Sequence, residues 1–350
     1  MRIALVSDAW APQVNGVVRT LTALIRELRE RGHDVTAITP DLFKTFPCPT
    51  YPEIRLALRP TRMIAALVEE AQPEAIHITT EGPLGFAARR YCLRRGYGFT
   101  TAFHTRFPEY VAARFRVPPA WSYALMRRFH APSRGVMVAT ETVRRELASR
   151  GFGNLRRWSR GVDAALYDPA RRGDFAGLPR PIFLTVGRVA VEKNTAAFLD
   201  LELPGSKVVI GDGPMLAELR RKHPDVQFLG TREGVELARL YASADVFVFP
   251  SRTDTFGLVL LEALASGLPV AAYPVPGPLD VIGDSGAGVL DEDLRAAALK
   301  ALEIPCEICR AHALSYTWGA SADQFIRNLW PAALAVDQSF RQPGVRGSVL

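Results

Sequence analysis

Short apolar runs alternate along the first half of the chain with segments whose apolar residues repeat every three or four positions. The run Ile3 to Val6 is followed by residues 16–31, where Val18, Leu21 and Leu28 fall on one helical face. Similar apolar runs occur at residues 34–40, 74–79, 99–104 and 135–140, and similar helical patterns at residues 62–71, 82–95 and 142–150. The alternation predicts a parallel sheet covered by helices, which is a doubly wound α/β domain.

The same alternation restarts at Ile182, after a stretch rich in glycine, proline and charged residues. The restart predicts two Rossmann-like domains with a cleft between them, where strand C-termini and helix N-termini would face a ligand. The boundaries that we predict are an N-terminal domain at 1–167, a linker at 168–180, a second domain at 181–316, a helix at 317–335 that crosses back to the first domain, and a tail at 336–350.

Composition restricts the class of protein. A length of 350 residues suits two ordinary cores, and apolar runs of about four to eight residues are too short to cross a bilayer. The opening run is interrupted by Asp8 and has no cleavage site, so it is interpreted as a β-strand and a cytoplasmic location is expected. Four scattered cysteines predict neither a disulfide framework nor a zinc site.

Positive charge is concentrated in the first domain. The net charge is +7, and residues 86–160 contain sixteen arginines and no lysine against three glutamates. Such a surface attracts phosphate, whether it belongs to nucleic acid, a nucleotide or an anionic lipid.

Several residues with useful chemistry follow predicted strands. Arg188 and Lys193 come just after one strand and together can neutralise a diphosphate, although two solvated surface cations would give the same pattern. Gly16 opens a helix whose backbone N–H groups can hold an oxyanion, and Gly211 follows another strand where the chain can approach a ligand closely. His104 also ends a strand, but a single histidine is more often structural.

Two acids flank an apolar helix in the second domain. Asp254 precedes the leucine-rich segment 257–266, and Glu262 lies within it, eight residues further on. The leucines are predicted to pack on the sheet while the two acids face the cleft.

Segments spread through the chain resemble the retaining glycosyltransferases of the GT-B fold in glycosyltransferase family 4. The likeness is greatest to bacterial α-mannosyltransferases and sulfoquinovosyl-diacylglycerol synthases. Several segments together are specific, and they occur in the family's order from residue 1 to about residue 330: DAWAPQVNGVVRTL, HITTEGPLG, FHTRFPEY, RWSRGVDAALYDP, VGRVAVEKN, VVIGDGP, FLGTREGVELARLYASADVFVFPSRTDTFGLVLLEALASGLPVAAY and GPLDVI.

The resemblance assigns roles by position. The family's E-x7-E motif falls on Asp254 and Glu262, with the first acid one methylene shorter. It implies that Asp254 holds hydroxyls of the donor sugar and that Glu262 binds the nucleotide ribose. Arg188 and Lys193 match the pair that stabilises the departing diphosphate.

The resemblance also implies that His104 lies near the donor sugar and the reacting centre, so that the predicted catalytic set is His104, Arg188, Lys193 and Asp254. Base recognition is expected from backbone groups, which leaves guanine and uracil open. The other donor-binding residues that we predict are Gly16, Gly211, Phe228, Leu229, Gly230, Thr255, Phe256, Gly257 and Leu258.

The activity implied by the resemblance is transfer of a hexose from a nucleotide sugar, GDP-mannose first, to a lipid or glycan acceptor. It implies a retaining, metal-independent reaction with no cofactor, because the two cations and helix N-termini can replace a metal ion. A diacylglycerol glycosyltransferase using a UDP-hexose or UDP-hexuronic acid is the alternative.

The segment 106–135 mixes Arg114, Arg116, Arg127 and Arg128 with Phe115, Trp121, Tyr123 and Phe129. Such a surface suits the interface of an anionic membrane on the cytoplasmic face, and an ordinary helix packed by its aromatics fits equally well. Nucleic-acid binding is not expected, because RNA-binding signatures are absent. A hydrolytic epimerase and a non-catalytic donor-binding protein are competing interpretations.

Overall fold

The protein is described from a computed structural model that covers residues 1–13, 15–48, 51–106, 108–109, 118–173, 175 and 177–332. Two six-stranded parallel sheets, one in each half of the chain, confirm the predicted class of two doubly wound Rossmann-like domains. A two-stranded antiparallel hairpin accompanies the first sheet and was not expected from the sequence.

The N-terminal sheet has the strand order β2-β1-β5-β6-β7-β8. The helices and strands of this domain, including the separate hairpin β3–β4, are β1 (Arg2–Val6), α1 (Gly16–Glu30), β2 (Asp34–Ile38), β3 (Thr45–Cys48), β4 (Tyr51–Ala57), α2 (Thr61–Ala71), β5 (Ala75–Ile78), α3 (Pro83–Arg95), β6 (Thr100–Phe103), α4 (Pro119–His130), β7 (Gly135–Val138), α5 (Glu141–Ser149) and β8 (Leu155–Arg157). The order reverses between β1 and β5, so the loops after these two strands diverge and open a crevice.

The second sheet has the order β11-β10-β9-β12-β13-β14. Its elements are β9 (Ile182–Val186), α6 (Thr195–Leu199), β10 (Ser206–Ile210), α7 (Leu216–Lys222), β11 (Gln227–Gly230), α8 (Gly234–Ser243), β12 (Val246–Phe249), α9 (Leu258–Ala265), β13 (Val270–Ala272), α10 (Pro276–Val281), β14 (Gly288–Leu290), α11 (Leu294–Ala301) and α12 (Cys306–Ala313). Here the order reverses between β9 and β12, which places the second crevice beyond those two strands.

Burial explains why four of the strands contain no Asp, Glu, Lys or Arg. Every residue of β5, β6, β7 and β12 is buried, because helices cover both faces of the parallel sheets. Helix α9 is buried from Leu260 to Ala265 and forms part of the core of the second domain. Among the residues described, no helix combines the length and the apolar character needed to cross a membrane.

The last helix, α13 (Trp318–Asn328), returns to the N-terminal domain. Ser321 Oγ accepts a hydrogen bond from the indole of Trp158 at 3.1 Å, and Arg31 on the N-terminal domain pairs with Asp323. The helix ends where Leu329 turns extended, two residues before Pro331, which bridges to Ala75 on β5. The tail predicted at 336–350 lies outside the described residues.

Candidate functional site

The crevice of the second domain brings three of the predicted residues together. Arg188 and Lys193 follow β9 and Asp254 follows β12, the two strands at which the sheet order reverses. Asn194 Nδ2 donates to the carbonyl of Pro250 at 3.1 Å and thereby ties the first loop to the second. Residues separated by about sixty positions therefore line one edge of the sheet.

Lys193 and Asp254 form an ion pair in this crevice. Lys193 Nζ lies 2.6 Å from Asp254 Oδ1. The other carboxylate oxygen, Asp254 Oδ2, is buried and has no hydrogen-bond partner among the described residues. A buried carboxylate oxygen normally accepts hydrogen bonds, so Asp254 is suited to accept one from a ligand hydroxyl.

Helix α9 begins at Leu258, four residues after Asp254. Gly257 takes a left-handed conformation with φ of 83°, and no side chain caps the helix N-terminus. Phe256 is buried, and a Cβ on Gly277 would lie only 3.0 Å from its carbonyl oxygen, so the loop packs tightly against α10. The uncapped N–H groups at this end can bind a phosphate or a sugar hydroxyl.

Gly16 meets this helix end from the other side of the cleft. A Cβ placed on Gly16 would lie 3.8 Å from Leu258 Cδ1, so the first residues of α1 and α9 are close neighbours. Asn15 Oδ1 accepts from the backbone N–H groups of Val17 and Val18 at 3.0 Å and fixes the start of α1. The positive ends of two helix dipoles therefore converge where a diphosphate is predicted.

Glu262 is held by two side chains. Its Oε1 lies 2.7 Å from a guanidinium nitrogen of Arg19 on α1, and its Oε2 accepts from the Tyr241 hydroxyl at 3.1 Å. Glu262 is only 6% exposed, and this pairing offsets the cost of burying its charge. A ribose that binds Glu262 would therefore compete with, or join, the contact with Arg19.

His104 stands at the end of β6 on the opposite wall. Its carbonyl oxygen accepts a hydrogen bond from Thr255 Oγ1 at 2.7 Å, which joins it to the residue after Asp254. Burial, followed by the nearby Arg160 charge, holds the pKa of His104 well below its usual value, so the imidazole is neutral at pH 7. Its Nε2 is buried without a hydrogen-bond partner in the described structure.

The remaining predicted residues lie on two adjoining loops. Gly211 N–H donates to the carbonyl of Gly230 at 2.9 Å, linking the ends of β10 and β11. A Cβ on Gly211, at φ of 139°, would come within 1.8 Å of the Gly187 carbonyl oxygen, so no larger residue fits there. Phe228 is buried and Leu229 half-buried, so ligand contacts at this edge would come from their backbone.

Sequence reasoning did not assign roles to three residues that shape the site. Arg19 and Tyr241 hold Glu262, and Asp8 fixes the start of α3 by accepting from the N–H groups of Leu84 and Gly85 at 2.8 and 3.2 Å. Burial raises the pKa of Asp8. Of the three, only Asp8 could have been suspected from the sequence, because it follows the first strand at the crevice of the first sheet.

The sequence matches known proteins along most of its length. The profile of the family described as Glycosyltransferase Family 4 matches residues 14–166, and the profile Glycosyl transferases group 1 matches residues 180–304. The GDP-mannose-dependent α-mannosyltransferase of Mycobacterium tuberculosis is 30% identical over 83% of this chain and 83% of that protein. This chain belongs to glycosyltransferase family 4.

A second curated relative of this family 4 glycosyltransferase is the sulfoquinovosyl transferase SQD2 of Arabidopsis thaliana. It is 32% identical over 82% of this chain and 62% of that protein. Among solved structures, a sucrose-phosphate synthase from Thermosynechococcus elongatus is 22% identical with a TM-score of 0.73, covering 93% of this chain and 97% of the other. This likeness establishes the GT-B fold, with the cleft described above between its two domains.

Proposed function

We propose that this family 4 glycosyltransferase transfers a hexose, with retention of configuration, from a nucleoside diphosphate sugar to a lipid or glycan acceptor. The observation that carries the proposal is a pair of unsatisfied buried atoms on opposite walls of the cleft. One is His104 Nε2 and the other is Asp254 Oδ2. A sugar hydroxyl both donates and accepts hydrogen bonds, so hydroxyls of a bound hexose would satisfy both atoms.

The surrounding charges suit a diphosphate leaving group. When the bond between the anomeric carbon and the diphosphate breaks, negative charge develops on the phosphate oxygens while the sugar becomes oxocarbenium-like. In this proposal Lys193 and the first turns of α1 and α9 stabilise that charge, and Arg188, which follows the same strand as Lys193, joins them. Stabilising this charge lowers the barrier more than binding the intact donor does.

The proposed reaction is a front-face displacement. The acceptor oxygen forms its bond to the anomeric carbon on the side that the diphosphate leaves, and the acceptor proton passes to a diphosphate oxygen. Asp254 Oδ1 is already bound to Lys193, so we assign it to positioning of the donor sugar and not to nucleophilic attack. The reaction as proposed uses side chains and helix ends in place of a metal ion.

The preferred donor in this proposal is GDP-mannose. Support comes from relatives named as GDP-mannose-dependent α-mannosyltransferases, one of them from Mycolicibacterium smegmatis with 30% identity over 93% of this chain. A UDP-hexose is the second candidate, because two relatives are named for sugars other than mannose: SQD2, and the α-monoglucosyldiacylglycerol synthase of Streptococcus pneumoniae, which is 28% identical over 86% of this chain.

Glu262 gives a direct test of nucleotide binding in the cleft. GDP at 100 times its Kd should stabilise the protein by about 2.7 kcal/mol and raise Tm, with smaller shifts from UDP and ADP at equal concentration. Glu262→Ala should weaken GDP binding at least about tenfold, because a charge-assisted hydrogen bond to the ribose is lost. Thermal shift against GDP concentration measures both effects.

Glu218→Ala is the matched control for this measurement, because Glu218 pairs with Lys222 on the exposed helix α7. It should bind GDP as the wild type does. Equal GDP affinity in wild type and Glu262→Ala would contradict the ribose role, and a larger shift from UDP would transfer the donor assignment to uridine.

The acceptor side of the proposal includes contact with an anionic membrane. On α4, Trp121 is 75% exposed and Leu125 is 56% exposed, and Arg128 beside them is exposed as well. Tyr123 and Phe129 are buried, so these aromatic residues pack the domain instead of facing outward. Arg114, Phe115 and Arg116, which the sequence also assigned to this surface, lie outside the described residues.

Vesicle sedimentation tests this surface. Wild-type protein should co-sediment with vesicles containing phosphatidylglycerol at low salt, and the double variant Trp121→Ser, Leu125→Ser should bind several-fold less. Val235→Ser, which alters an exposed apolar residue of the second domain, serves as the control. Absence of wild-type sedimentation, or equal binding by the double variant, would exclude α4 as a membrane contact.

A further inference from the structure

Arg160 is a buried cation without an acidic partner. The residue is only 4% exposed, and no carboxylate of the described residues pairs with it. Its guanidinium donates to the carbonyl oxygens of Trp158 at 2.6 Å and Ser159 at 3.1 Å, and it stacks 4.2 Å from the centre of the Trp158 ring. Burial lowers its pKa to about 9, so it remains charged at pH 7.

The remaining contact of this guanidinium is with His104. Arg160 Nη2 lies 3.2 Å from His104 Nδ1. A guanidinium has donors only, so Nδ1 must be the acceptor and must carry no proton. Since His104 is neutral, its single ring proton is on Nε2, the nitrogen that is buried without a partner.

The segment that carries Arg160 is fixed by α13. Trp158 is fully buried, its indole donates to Ser321, and Ser159 N–H donates to the side chain of Gln324 at 2.8 Å. A Cβ on Gly161 would lie 2.2 Å from the backbone nitrogen of Trp318, so the chain passes directly against the helix. Trp158 also packs edge-on against the His104 ring, with centroids 5.6 Å apart.

We infer that Arg160 is a positioning residue that fixes His104 as the neutral tautomer with its proton on Nε2. In this state His104 is a hydrogen-bond donor to the substrate and has no free nitrogen with which to act as a general base. The nearby guanidinium charge also opposes protonation of the ring. The inference about substrate rests on the proposed function, whereas the tautomer is a property of the protein alone.

The tautomer is measured first, on wild-type protein without ligand. The chain has six histidines, so ring-¹⁵N-labelled histidine and long-range ¹H–¹⁵N correlation resolve the states, and the missing signal in His104→Gln assigns His104. The expected spectrum shows an unprotonated Nδ1 and a protonated Nε2 at pH 7. A protonated Nδ1, or a mixture of tautomers, would overturn the inference whatever the enzyme's substrate is.

Two variants then test whether Arg160 is the cause. Arg160→Met removes both the charge and the donor, and should give mixed tautomers of His104 and a kcat about 10- to 100-fold lower, by analogy with residues that orient metal-binding histidines. Arg160→Lys keeps a charged donor and should restore the Nε2-protonated tautomer and part of the activity. An unchanged tautomer and kcat in Arg160→Met would refute the positioning role.

If Arg160→Met proves too unstable to study, the Arg160→Lys variant still tests the positioning role of Arg160. A mixture of His104 tautomers in Arg160→Lys together with wild-type kcat would contradict the inference, because the tautomer that Arg160 is inferred to fix would then not matter for the reaction. If the tautomer is as expected but no nucleotide sugar is turned over by the wild type, the proposed function fails and the positioning role of Arg160 stands.

Discussion

Lys193→Ala is expected to lower kcat by about two to three orders of magnitude while the protein stays folded. The ammonium lies in the crevice beyond β9, at 2.6 Å from Asp254, where the leaving diphosphate is proposed to develop charge. Its attraction to that charge is larger in the transition state than in the bound donor, so its loss should act mainly on kcat. Steady-state kinetics with a labelled donor measure the change.

The control for this variant is Lys222→Ala. Lys222 also lies 2.6 Å from a carboxylate, that of Glu218, but on the exposed face of α7. Its removal should leave kcat unchanged, because an exposed ion pair of this kind contributes little. A Lys193→Ala enzyme with wild-type kcat would show that the leaving group is stabilised by other residues.

Asp254→Asn is expected to reduce kcat about 100-fold or more. The substitution removes the charge that holds Lys193 and weakens the buried oxygen available to a sugar hydroxyl. Asp254 is proposed to contact the sugar and not the nucleotide, so the affinity for GDP should remain close to that of the wild type. Kinetics and GDP titration, measured on the same preparation, separate the two effects.

Asp254→Glu keeps the negative charge and lengthens the side chain, so it tests whether side-chain length matters at this position. It restores the acid that the family motif usually carries, so substantial activity is expected if the shorter side chain only compensates for local geometry. Retained GDP binding with lost activity would show that the aspartate is matched to its own donor sugar. A parallel loss of GDP affinity in Asp254→Asn would contradict the assignment to the sugar.

Strand and helix positions followed closely from the hydrophobic pattern. The helix expected at residues 62–71 spans Thr61–Ala71, and the strand expected at 74–79 spans Ala75–Ile78. The hairpin β3–β4 was missed because Pro47 and Pro52 interrupt its alternation, and proline is uncommon inside paired strands. Local periodicity thus predicts the helices and strands that pack in the core. It fails for a hairpin whose two strands are held mainly by hydrogen bonds to each other.

Only the site residues that closely follow predicted strands could be identified from the sequence. Lys193 and Asp254 could be placed in one crevice because parallel strands end at the same edge. No pattern in the sequence marked Arg19 or Arg160 as site residues, since their partners Glu262 and His104 are 243 and 56 residues away in sequence. The Arg19–Glu262 contact depends on how the two domains face each other, and the Arg160–His104 contact on how the segments after β6 and β8 pack within the first domain. No local pattern in the sequence encodes either arrangement.

The most direct test of the central claim is the product formed from GDP-mannose. Purified protein should transfer labelled mannose to diacylglycerol in phosphatidylglycerol vesicles or to methyl α-mannoside, and NMR of the product should show an α-linkage, the configuration of the donor. Transfer from a UDP-hexose with the same retention would revise the donor only. A β-linked product, or release of free mannose without transfer to any acceptor, would contradict the account.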